Sequence, residues 1–264
     1  RDSFYSTFYF LINIMSKFSK FNLSDTLNNS LKSINFITPT PIQEKSIPII
    51  LDGNDILGSA QTGTGKTAAY AIPIIDLLLK SKKSSVLILI PTRELAKQVL
   101  DVVHSLLGFK SSISSISLIG GESMSKQLSQ LKRKPRIFVG TPGRINDHLR
   151  RGSVNFKDVK YLILDETDRM LDMGFEVQIK DILKHIKGEK QILMFSATIP
   201  KNIIKLSSNY LNDPIRVSIG DSNIVAENIT QEIIELKSDE KLLEVVNQIN
   251  KRNGSILVLS LIHI

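Results

Sequence analysis

The sequence contains no cysteine. This absence excludes a disulfide-stapled scaffold, a thiol nucleophile, and any zinc or iron–sulfur site that needs cysteine ligands. Aromatic residues make up only 6%, and acidic residues are in the minority, with 26 Asp and Glu against 34 Lys and Arg. The resulting net charge of +8 favours polyanionic partners, although charge alone does not separate RNA from DNA or anionic lipid.

A hydrophobic run long enough to cross a membrane is also missing. The apolar run Phe4–Ile14 is too short to span a bilayer comfortably, so no membrane partner is expected. Only Arg1 precedes it as a basic residue and no small-residue cleavage site follows, which disfavours a signal peptide. We interpret residues 1–14 as upstream sequence read in frame, with Met15 as the start, and we expect a cytoplasmic protein.

The last six residues, LSLIHI, can be encoded by a sequencing-transposon end, and we interpret residues 259–264 as a non-native tail. Residues 221–231 are polar without a periodic pattern and predict a linker. The first domain is therefore expected at residues 15–220. Residues 232–258 predict a strand, a helix and another strand, which would open a second, truncated domain.

The first domain alternates short apolar runs with helical patterns. Most of the runs are apolar throughout, as in strands that are buried on both faces. Strand–helix–strand repetition at this spacing predicts an α/β fold, a mostly parallel sheet with helices on both faces. We predict strands at 55–60, 86–90, 116–120, 136–140, 161–166, 191–198 and 215–219, and helices at 66–79, 93–107, 142–150, 176–186 and 200–210.

A glycine-rich segment, AQTGTGKT, lies between the first predicted strand and the first predicted helix. Backbone N–H groups in such a turn surround phosphate oxygens, and the helix amino end favours an anion. Lys66 is expected to reach the β- and γ-phosphates, and the Thr67 hydroxyl to ligate Mg²⁺. The predicted phosphate-binding residues are Ala60, Gln61, Thr62, Gly63, Thr64, Gly65, Lys66 and Thr67.

A second acidic element follows another predicted strand, in the segment LILDETD. A carboxylate at Asp165 is suited to hold Mg²⁺ through water, and the neighbouring Glu166 to orient and deprotonate an attacking water. These two segments together indicate a phosphate-binding site with Mg²⁺. His104, His148 and His185 lack metal-ligand spacing, and Ser196 has no nucleophile-elbow pattern, so neither a histidine metal site nor a hydrolase triad is predicted.

Taken together, these segments resemble those of the DEAD-box RNA helicases from Phe18 to about Val258. PTPIQ, residues 39–43, resembles the adenine-sensing Q motif of that family. The resemblance implies that Gln43 reads the adenine edge, with Pro41 in the same motif and Phe18 packing near the base. It also implies a RecA-like P-loop NTPase fold with ATP and Mg²⁺ as cofactors.

Four further segments resemble family motifs. PTRELA, GG and TPGR resemble three RNA-contacting motifs, and SAT resembles the element that couples ATP hydrolysis to strand separation. The resemblance implies that Asp168, Ser196 and Thr198 form this coupling element. The implied RNA contacts are Pro91, Thr92, Arg93, Gly120, Gly121, Thr141, Pro142, Gly143 and Arg144. Such donors suit phosphate and sugar oxygens, so we expect sequence-tolerant, salt-sensitive RNA binding.

The sequence departs from the family pattern at three points. Thr167 stands where the family has Ala, and its extra hydroxyl is expected to alter the coupling of Asp168 to Ser196 and Thr198. Asn35 stands where the Q motif has Gly, a mild change because Asn tolerates positive φ. No segment resembles the motifs of the family's second lobe, which supplies arginine fingers and half of the RNA groove.

These observations favour an ATP-dependent RNA helicase, of which this chain is the ATP-binding lobe and alone nearly inactive. DRMLDMGF, residues 168–175, further resembles the bacterial RhlE-like branch. The resemblance is compatible with partners in ribosome assembly or RNA decay. Two alternatives stay open: a single-lobe, nucleotide-gated module that binds RNA or protein, and a DNA-directed motor on the same core. The basic run LKRKPR, residues 131–136, is interpreted mainly as a solvated loop.

Overall fold

The computed structural model describes residues 17–108, 111–219, 230 and 232–260. The chain divides into two compact units, residues 1–222 and 223–264. The predicted upstream segment 1–14 and nearly all of the predicted linker lie outside the described residues.

The first unit begins with a 3-10 helix, Lys17–Phe21, and then alternates helices with strands. Its strands are β1 (Ile56–Ser59), β2 (Ser85–Leu89), β3 (Ser115–Leu118), β4 (Ile137–Gly140), β5 (Val159–Leu164), β6 (Gln191–Ser196) and β7 (Ile215–Ser218). Its helices are α1 (Asp25–Ser33), α2 (Pro41–Leu51), α3 (Lys66–Lys80), α4 (Arg93–Leu107), α5 (Met124–Leu131), α6 (Pro142–Arg150), α7 (Thr167–Asp172), α8 (Glu176–His185) and α9 (Lys201–Tyr210).

The seven strands form one sheet in the order β3-β4-β2-β5-β6-β1-β7. Every pair of neighbours is parallel, which confirms the predicted α/β architecture. Because all strands run the same way, their carboxyl ends share one edge of the sheet. Ligand sites of open α/β sheets lie at this edge.

Both faces of the sheet are covered by helices, and alternate residues of the central strands supply the two cores, whereas the edge strands β3 and β7 contribute to one core each. In β2, Val86 and Ile88 pack into the core that α1–α4 cover, whereas Leu87 and Leu89 pack into the core that α6–α9 cover. Side chains of a strand alternate between faces, so a strand covered on both sides has to be apolar throughout. This explains the uninterrupted apolar runs of the sequence.

Four helices, α1, α2, α5 and α7, were not among the predicted elements. The pattern of α2 is interrupted by Pro48, although Pro41 occupies the first turn, where its missing N–H costs nothing. Helix α5 has eight residues and α7 six, too few for a helical repeat of apolar residues to be evident.

In the second unit the predicted helix is present as α10 (Lys241–Asn250), but the strands predicted on either side are not formed among its described residues. A strand needs a neighbour for its backbone N–H and C=O groups. Ile233 and Leu257, in the predicted strand segments, are 91% and 82% exposed. Among all described residues, the helices are too short or too polar to cross a membrane.

Candidate functional site

The phosphate-binding segment forms the loop between β1 and α3, as predicted. Gly65 begins α3 in the left-handed region at φ 90°, and Gly63 also has positive φ. A Cβ on Gly65 would lie 2.5 Å from the Gln43 side-chain nitrogen, so glycine is needed for conformation and space alike. The Lys66 ammonium is buried and donates to the Ala60 carbonyl at 2.7 Å, which closes the loop on itself.

Gln43 joins this loop to the start of α2. Its Nε2 donates to the Gly65 carbonyl at 3.1 Å, and its Oε1 accepts from the Thr40 N–H at 3.0 Å. One amide hydrogen and one lone pair are left for a ligand, because a side-chain amide offers two of each. Gln43 therefore acts on the phosphate loop as well as presenting an amide edge.

A cavity of about 330 Å³ lies beside the loop. Of the predicted site residues it is lined by Gln43, Thr62, Gly63, Gly65, Lys66, Thr67, Asp165 and Glu166. Pro41, Ala60, Gln61 and Thr64 lie near it in the chain without lining it. Phe18 is fully buried and packs against Phe36 with ring centroids 6.2 Å apart, so Phe36 rather than Phe18 meets the cavity.

Asp165 follows β5 and is held by two donors. The Tyr70 hydroxyl donates to Oδ2 at 2.9 Å, and the Glu166 N–H donates to Oδ1 at 2.9 Å. Burial raises the pKa of the Asp165 carboxyl, and these bonds together with the nearby Lys66 oppose that rise. Burial and the Asp165 carboxylate raise the pKa of Tyr70 well above its ordinary value, so Tyr70 is a hydrogen-bond donor here.

Glu166 has the left-handed backbone conformation, with φ 49°. Non-glycine residues rarely adopt it, and such strain is common at functional sites. This conformation occurs at the turn from β5 into α7, with the carboxylate lining the cavity. Arg169 pairs with the same carboxylate at 3.2 Å.

The predicted coupling residues contact one another. Asp168 Oδ2 accepts from the Thr198 N–H and hydroxyl, both at 2.9 Å, and Ser196 Oγ accepts from the Asp168 N–H at 3.3 Å. Burial raises the pKa of Asp168, but the bonds from Thr198 outweigh it and leave that pKa below its usual value.

The hydrogen bonds of Asp168 to Ser196 and Thr198 are formed with Thr167 in place, and the expected effect of Thr167 on the coupling stays a prediction. The Thr167 side chain is fully buried, with the hydroxyl 3.1 Å from both the Leu164 and the Phe195 carbonyl oxygens. The hydroxyl therefore turns away from Asp168 toward the ends of β5 and β6. Asn35 has a positive φ of 58°, a conformation that the glycine found at this position in the family would also adopt easily.

The donor set fits Mg²⁺. Thr67 and Asp165 both line the cavity and offer the oxygen ligands that this ion prefers. Each Asp165 oxygen already accepts one hydrogen bond, which suits contact through water. Within the described ranges no group of three His, Asp or Glu residues is close enough to hold a metal by itself. The ion would therefore be shared with the phosphates of a nucleotide.

The predicted RNA-contacting segments follow β2, β3 and β4, which are neighbours in the sheet, so one edge brings them together. The Arg93 guanidinium lies against Gly120 and Gly121, and a Cβ on Gly121 would collide with it. These glycines thus make room for Arg93. Thr92 caps α4 by accepting from the Leu95 N–H at 3.3 Å. Thr141, Pro142 and Gly143 form the turn that starts α6.

Arg144 is partly committed to the protein. Its Nη1 donates to the Glu122 carbonyl at 3.1 Å and to Gln127 Oε1 at 3.0 Å. The fully buried Gln127 also donates to the Ile119 carbonyl at 3.0 Å and lies 2.8 Å from His148 Nε2. Since Gln127 Oε1 only accepts, His148 carries its proton on Nε2. Burial and the nearby Arg144 lower the pKa of His148.

Sequence reasoning missed three residues of this site, namely Phe36, Tyr70 and Gln127. Tyr70 and Asp165 are 95 positions apart, so no local motif relates them. The one available signal was the polar Gln127 in an amphipathic segment. LKRKPR was interpreted as a solvated loop, which holds for Lys132, Arg133 and Lys134 but not for Arg136, whose guanidinium donates to backbone carbonyls.

This geometry defines a class of protein: an α/β P-loop domain with a second, basic set of donors on the same sheet edge. The DEAD/DEAH box helicase family model matches residues 40–206. The chain belongs to this family.

The chain is 40% identical over 224 residues to the DEAD-box ATP-dependent RNA helicase RhpA of Helicobacter pylori, covering 85% of this chain and 45% of RhpA. It is 41% identical over 228 residues to the ATP-dependent RNA helicase CshA of Listeria monocytogenes, covering 86% and 44%. A crystal structure of a DEAD box protein from Methanococcus jannaschii superposes with a TM-score of 0.71 at 40% identity, covering 88% of this chain and 62% of that one. The chain thus spans about half the length of the curated relatives it matches.

Proposed function

We propose that this chain is the ATP-binding lobe of an ATP-dependent RNA helicase. The order of strands carries the proposal. Nucleotide-site residues follow β1, β5 and β6, the donors suited to RNA follow β2, β3 and β4, and β2 pairs directly with β5. The nucleotide-site residues that follow β5 and the RNA-contacting residues that follow β2 therefore lie on neighbouring strands. The printed names of the relatives support the same activity.

In this proposal ATP lies in the cavity beside the phosphate loop. Lys66 exchanges the Ala60 carbonyl for phosphate oxygens, and Thr67 with Asp165 holds Mg²⁺, which neutralises phosphate charge when bound. Glu166 orients a water and accepts its proton. Phosphoryl transfer of this kind depends on positioning and charge stabilisation more than on covalent chemistry of the protein.

In this proposal the hydrogen bonds of Asp168 with Ser196 and Thr198 couple ATP hydrolysis to strand separation. They join the segment that follows β5 to the end of β6 and the residues after it. RNA binds along the neighbouring strand ends through Arg93, Arg144 and backbone groups. Such contacts hold the phosphate backbone without reading sequence. Closure of a second lobe on both ligands would then bend the RNA and open a short duplex.

Four finer assignments belong to this proposal. DRMLDMGF supports membership of the RhlE-like branch. A second lobe in the whole protein is supported by the half-length match to the relatives. A cytoplasmic location and partners in ribosome assembly or RNA decay stay predictions, and proteins co-purifying with the full-length product would test them.

The test is nucleotide binding and turnover on the full chain, measured beside whole RhpA. We expect weak ATP binding that Lys66→Ala abolishes, and slow hydrolysis, because an arginine supplied from outside this lobe is worth about 10³–10⁵ in rate. Glu166→Gln should keep nucleotide binding and remove the residual turnover.

Three outcomes would contradict the assignment. Turnover as fast as that of RhpA would show that this lobe needs no partner lobe. RNA affinity that is the same with and without ATP would favour a binding module instead. Equal stimulation of the ATPase by DNA and RNA, in a protein completed with a second lobe, would favour a DNA-directed motor.

A further inference from the structure

The edge of the sheet opposite the nucleotide cavity carries a cleft of about 510 Å³, which we call the amino-end cleft. It is formed by the loops that lead into β2, β4 and β5, three adjacent strands. Its charged lining consists of Lys82, Lys83, Lys134, Arg136 and Lys157 against a single acid, Asp158. The proposed function uses none of these residues.

The four lysines are exposed, and within the described part of the chain none of them forms an ion pair. Elsewhere in this unit Lys20, Lys180 and Lys184 are paired with carboxylates. The lysines of the amino-end cleft thus hold uncompensated positive charge in a concave surface, where low-dielectric walls concentrate the field.

Arg136 gives this cleft a fixed shape. Its Nε donates to the Ser84 carbonyl at 2.8 Å, and its Nη2 donates to the Leu78 carbonyl at 2.9 Å and to the Ser81 carbonyl. These bonds tie the loop that bears Lys82 and Lys83 to the start of β4. The loop that bears Lys82 and Lys83 is therefore held beside the start of β4 without a ligand.

Lys134 supplies a second, independent observation. Its backbone has φ 53°, a conformation that glycine or asparagine adopts more easily. Lys134 follows the end of α5, and its N–H donates to the Leu131 carbonyl at 3.0 Å. The left-handed turn that ends this helix therefore places the lysine at the rim of the cleft.

We propose that the amino-end cleft binds the phosphate backbone of a single RNA strand, separately from the RNA contacts at the carboxyl edge. The loops that lead into β4 and β5 are two strand spacings apart, roughly 10 Å, so lysines on both loops can contact more than one phosphate of the same strand. The aromatic ring in the lining, Phe138, is buried, so the contact would not stack on bases. The inference rests on the proposed function for its choice of RNA.

Because the amino-end cleft and the nucleotide cavity lie on opposite edges, binding in this cleft should not depend on ATP. RNA bound in the amino-end cleft would stay on the lobe while the RNA contacts at the carboxyl edge of the sheet are released and formed again. The cleft thus adds an anchoring site to a protein whose other RNA contacts depend on nucleotide.

The experiment measures fluorescence anisotropy of labelled oligouridine on the full chain between about 50 and 200 mM salt, with and without ATP. The cleft variant is Lys82→Gln/Lys83→Gln/Lys134→Gln. Its control, Lys32→Gln/Lys45→Gln/Lys205→Gln, removes the same charge from exposed positions on α1, α2 and α9. An Arg93→Gln variant probes the carboxyl edge.

We expect the cleft variant to lose most of the ATP-independent affinity and to lower the slope of log affinity against log salt by about 2, at ~0.7 per phosphate contact. The control should keep the wild-type slope, and Arg93→Gln should affect only the ATP-dependent part. Circular dichroism of each variant checks that it folds.

Equal behaviour of the cleft and control variants would overturn the inference and leave the proposed function standing. If the wild-type chain binds oligouridine equally with and without ATP, and the cleft variant loses this binding, the proposed function is contradicted and the cleft inference stands. A wild-type chain that binds no oligouridine at low salt would refute both. If labelled oligoglutamate binds in the cleft while oligouridine affinity is unchanged by the cleft variant, the partner is an acidic peptide and the RNA assignment fails.

Discussion

Gln127→Leu tests whether one buried amide holds the RNA-facing edge together. Leucine has nearly the same volume, so the change removes polar contacts without opening a large cavity. The Gln127 side chain has no exposed surface, and it joins the Ile119 carbonyl, the Arg144 guanidinium and the His148 ring. Substitution leaves the first and last of these buried groups unpartnered.

The magnitude follows from those contacts. A buried polar group that loses its partner costs about 1–3 kcal/mol, so two such groups cost about 2–6 kcal/mol. Arg144 adds little, because it is partly exposed and keeps the Glu122 carbonyl. Against a total stability of about 5–15 kcal/mol this is a large fraction, and Tm should fall by roughly 10 °C.

The assay is urea unfolding of the full chain, followed by oligouridine and nucleotide titrations at a temperature where both proteins are folded. We expect weaker RNA binding at unchanged nucleotide affinity, since Gln127 is remote from the nucleotide cavity. Gln130→Leu, on the same helix and outside these contacts, is the control and should stay within about 0.5 kcal/mol. A Gln127→Leu stability equal to that of this control would refute the reasoning.

Four further predictions concern single side chains. Gln43→Ala should remove the preference for ATP over GTP in competition titrations, and a retained preference would exclude it from the adenine site. Tyr70→Phe should lower the free energy of unfolding by about 1.5–3 kcal/mol in urea, because Asp165 loses a buried donor, and a smaller loss would show that solvent replaces it. Thr167→Val keeps the shape and should cost about 1 kcal/mol by the same assay; a neutral result would mean that the hydroxyl bonds are not formed. His148 has a lowered pKa, so its contribution to stability is complete above the unfolded value of 6.5 and is lost as pH falls toward the folded value. In urea unfolding below pH 6.5 the wild type should therefore lose stability up to about 1.4 kcal/mol per pH unit faster than His148→Gln, and equal slopes would contradict this.

The sequence predicted the sheet well because its five central strands are buried on both faces. Runs such as Val86–Ile90 have to be apolar at every position, and this requirement is local and visible. The phosphate loop was equally predictable, since the glycines before α3 and the Lys66–Thr67 pair are contiguous. The apolar runs on either side of α10 were also predicted as strands, but no strand is formed there among the described residues. An apolar run forms a strand only when a neighbouring strand is present.

The parts that could not be predicted depend on contacts between distant positions. Nothing near Tyr70 in the chain indicates that its hydroxyl meets Asp165, and nothing near Gln127 indicates that it joins α5 to α6. Tyr70 lies within a predicted helix, whereas Gln127 lies in α5, which was not predicted. The contact of Gly120 and Gly121 with the Arg93 side chain could not be predicted either, because it joins segments that follow different strands.

Thr167 shows how a departure from a family pattern can be absorbed. The extra hydroxyl was expected to strain the contact from Asp168 to Ser196 and Thr198, because a larger side chain had to fit where a methyl group stands in the family. The helix turn that begins at Thr167 instead points the hydroxyl at the carbonyl ends of β5 and β6, where backbone acceptors are within 3.1 Å. These hydrogen-bond acceptors offset the cost of burying the Thr167 hydroxyl away from water. The Thr167 hydroxyl thus lies between the carboxyl ends of β5 and β6, next to Asp165 and Ser196, and its effect on the coupling stays a prediction.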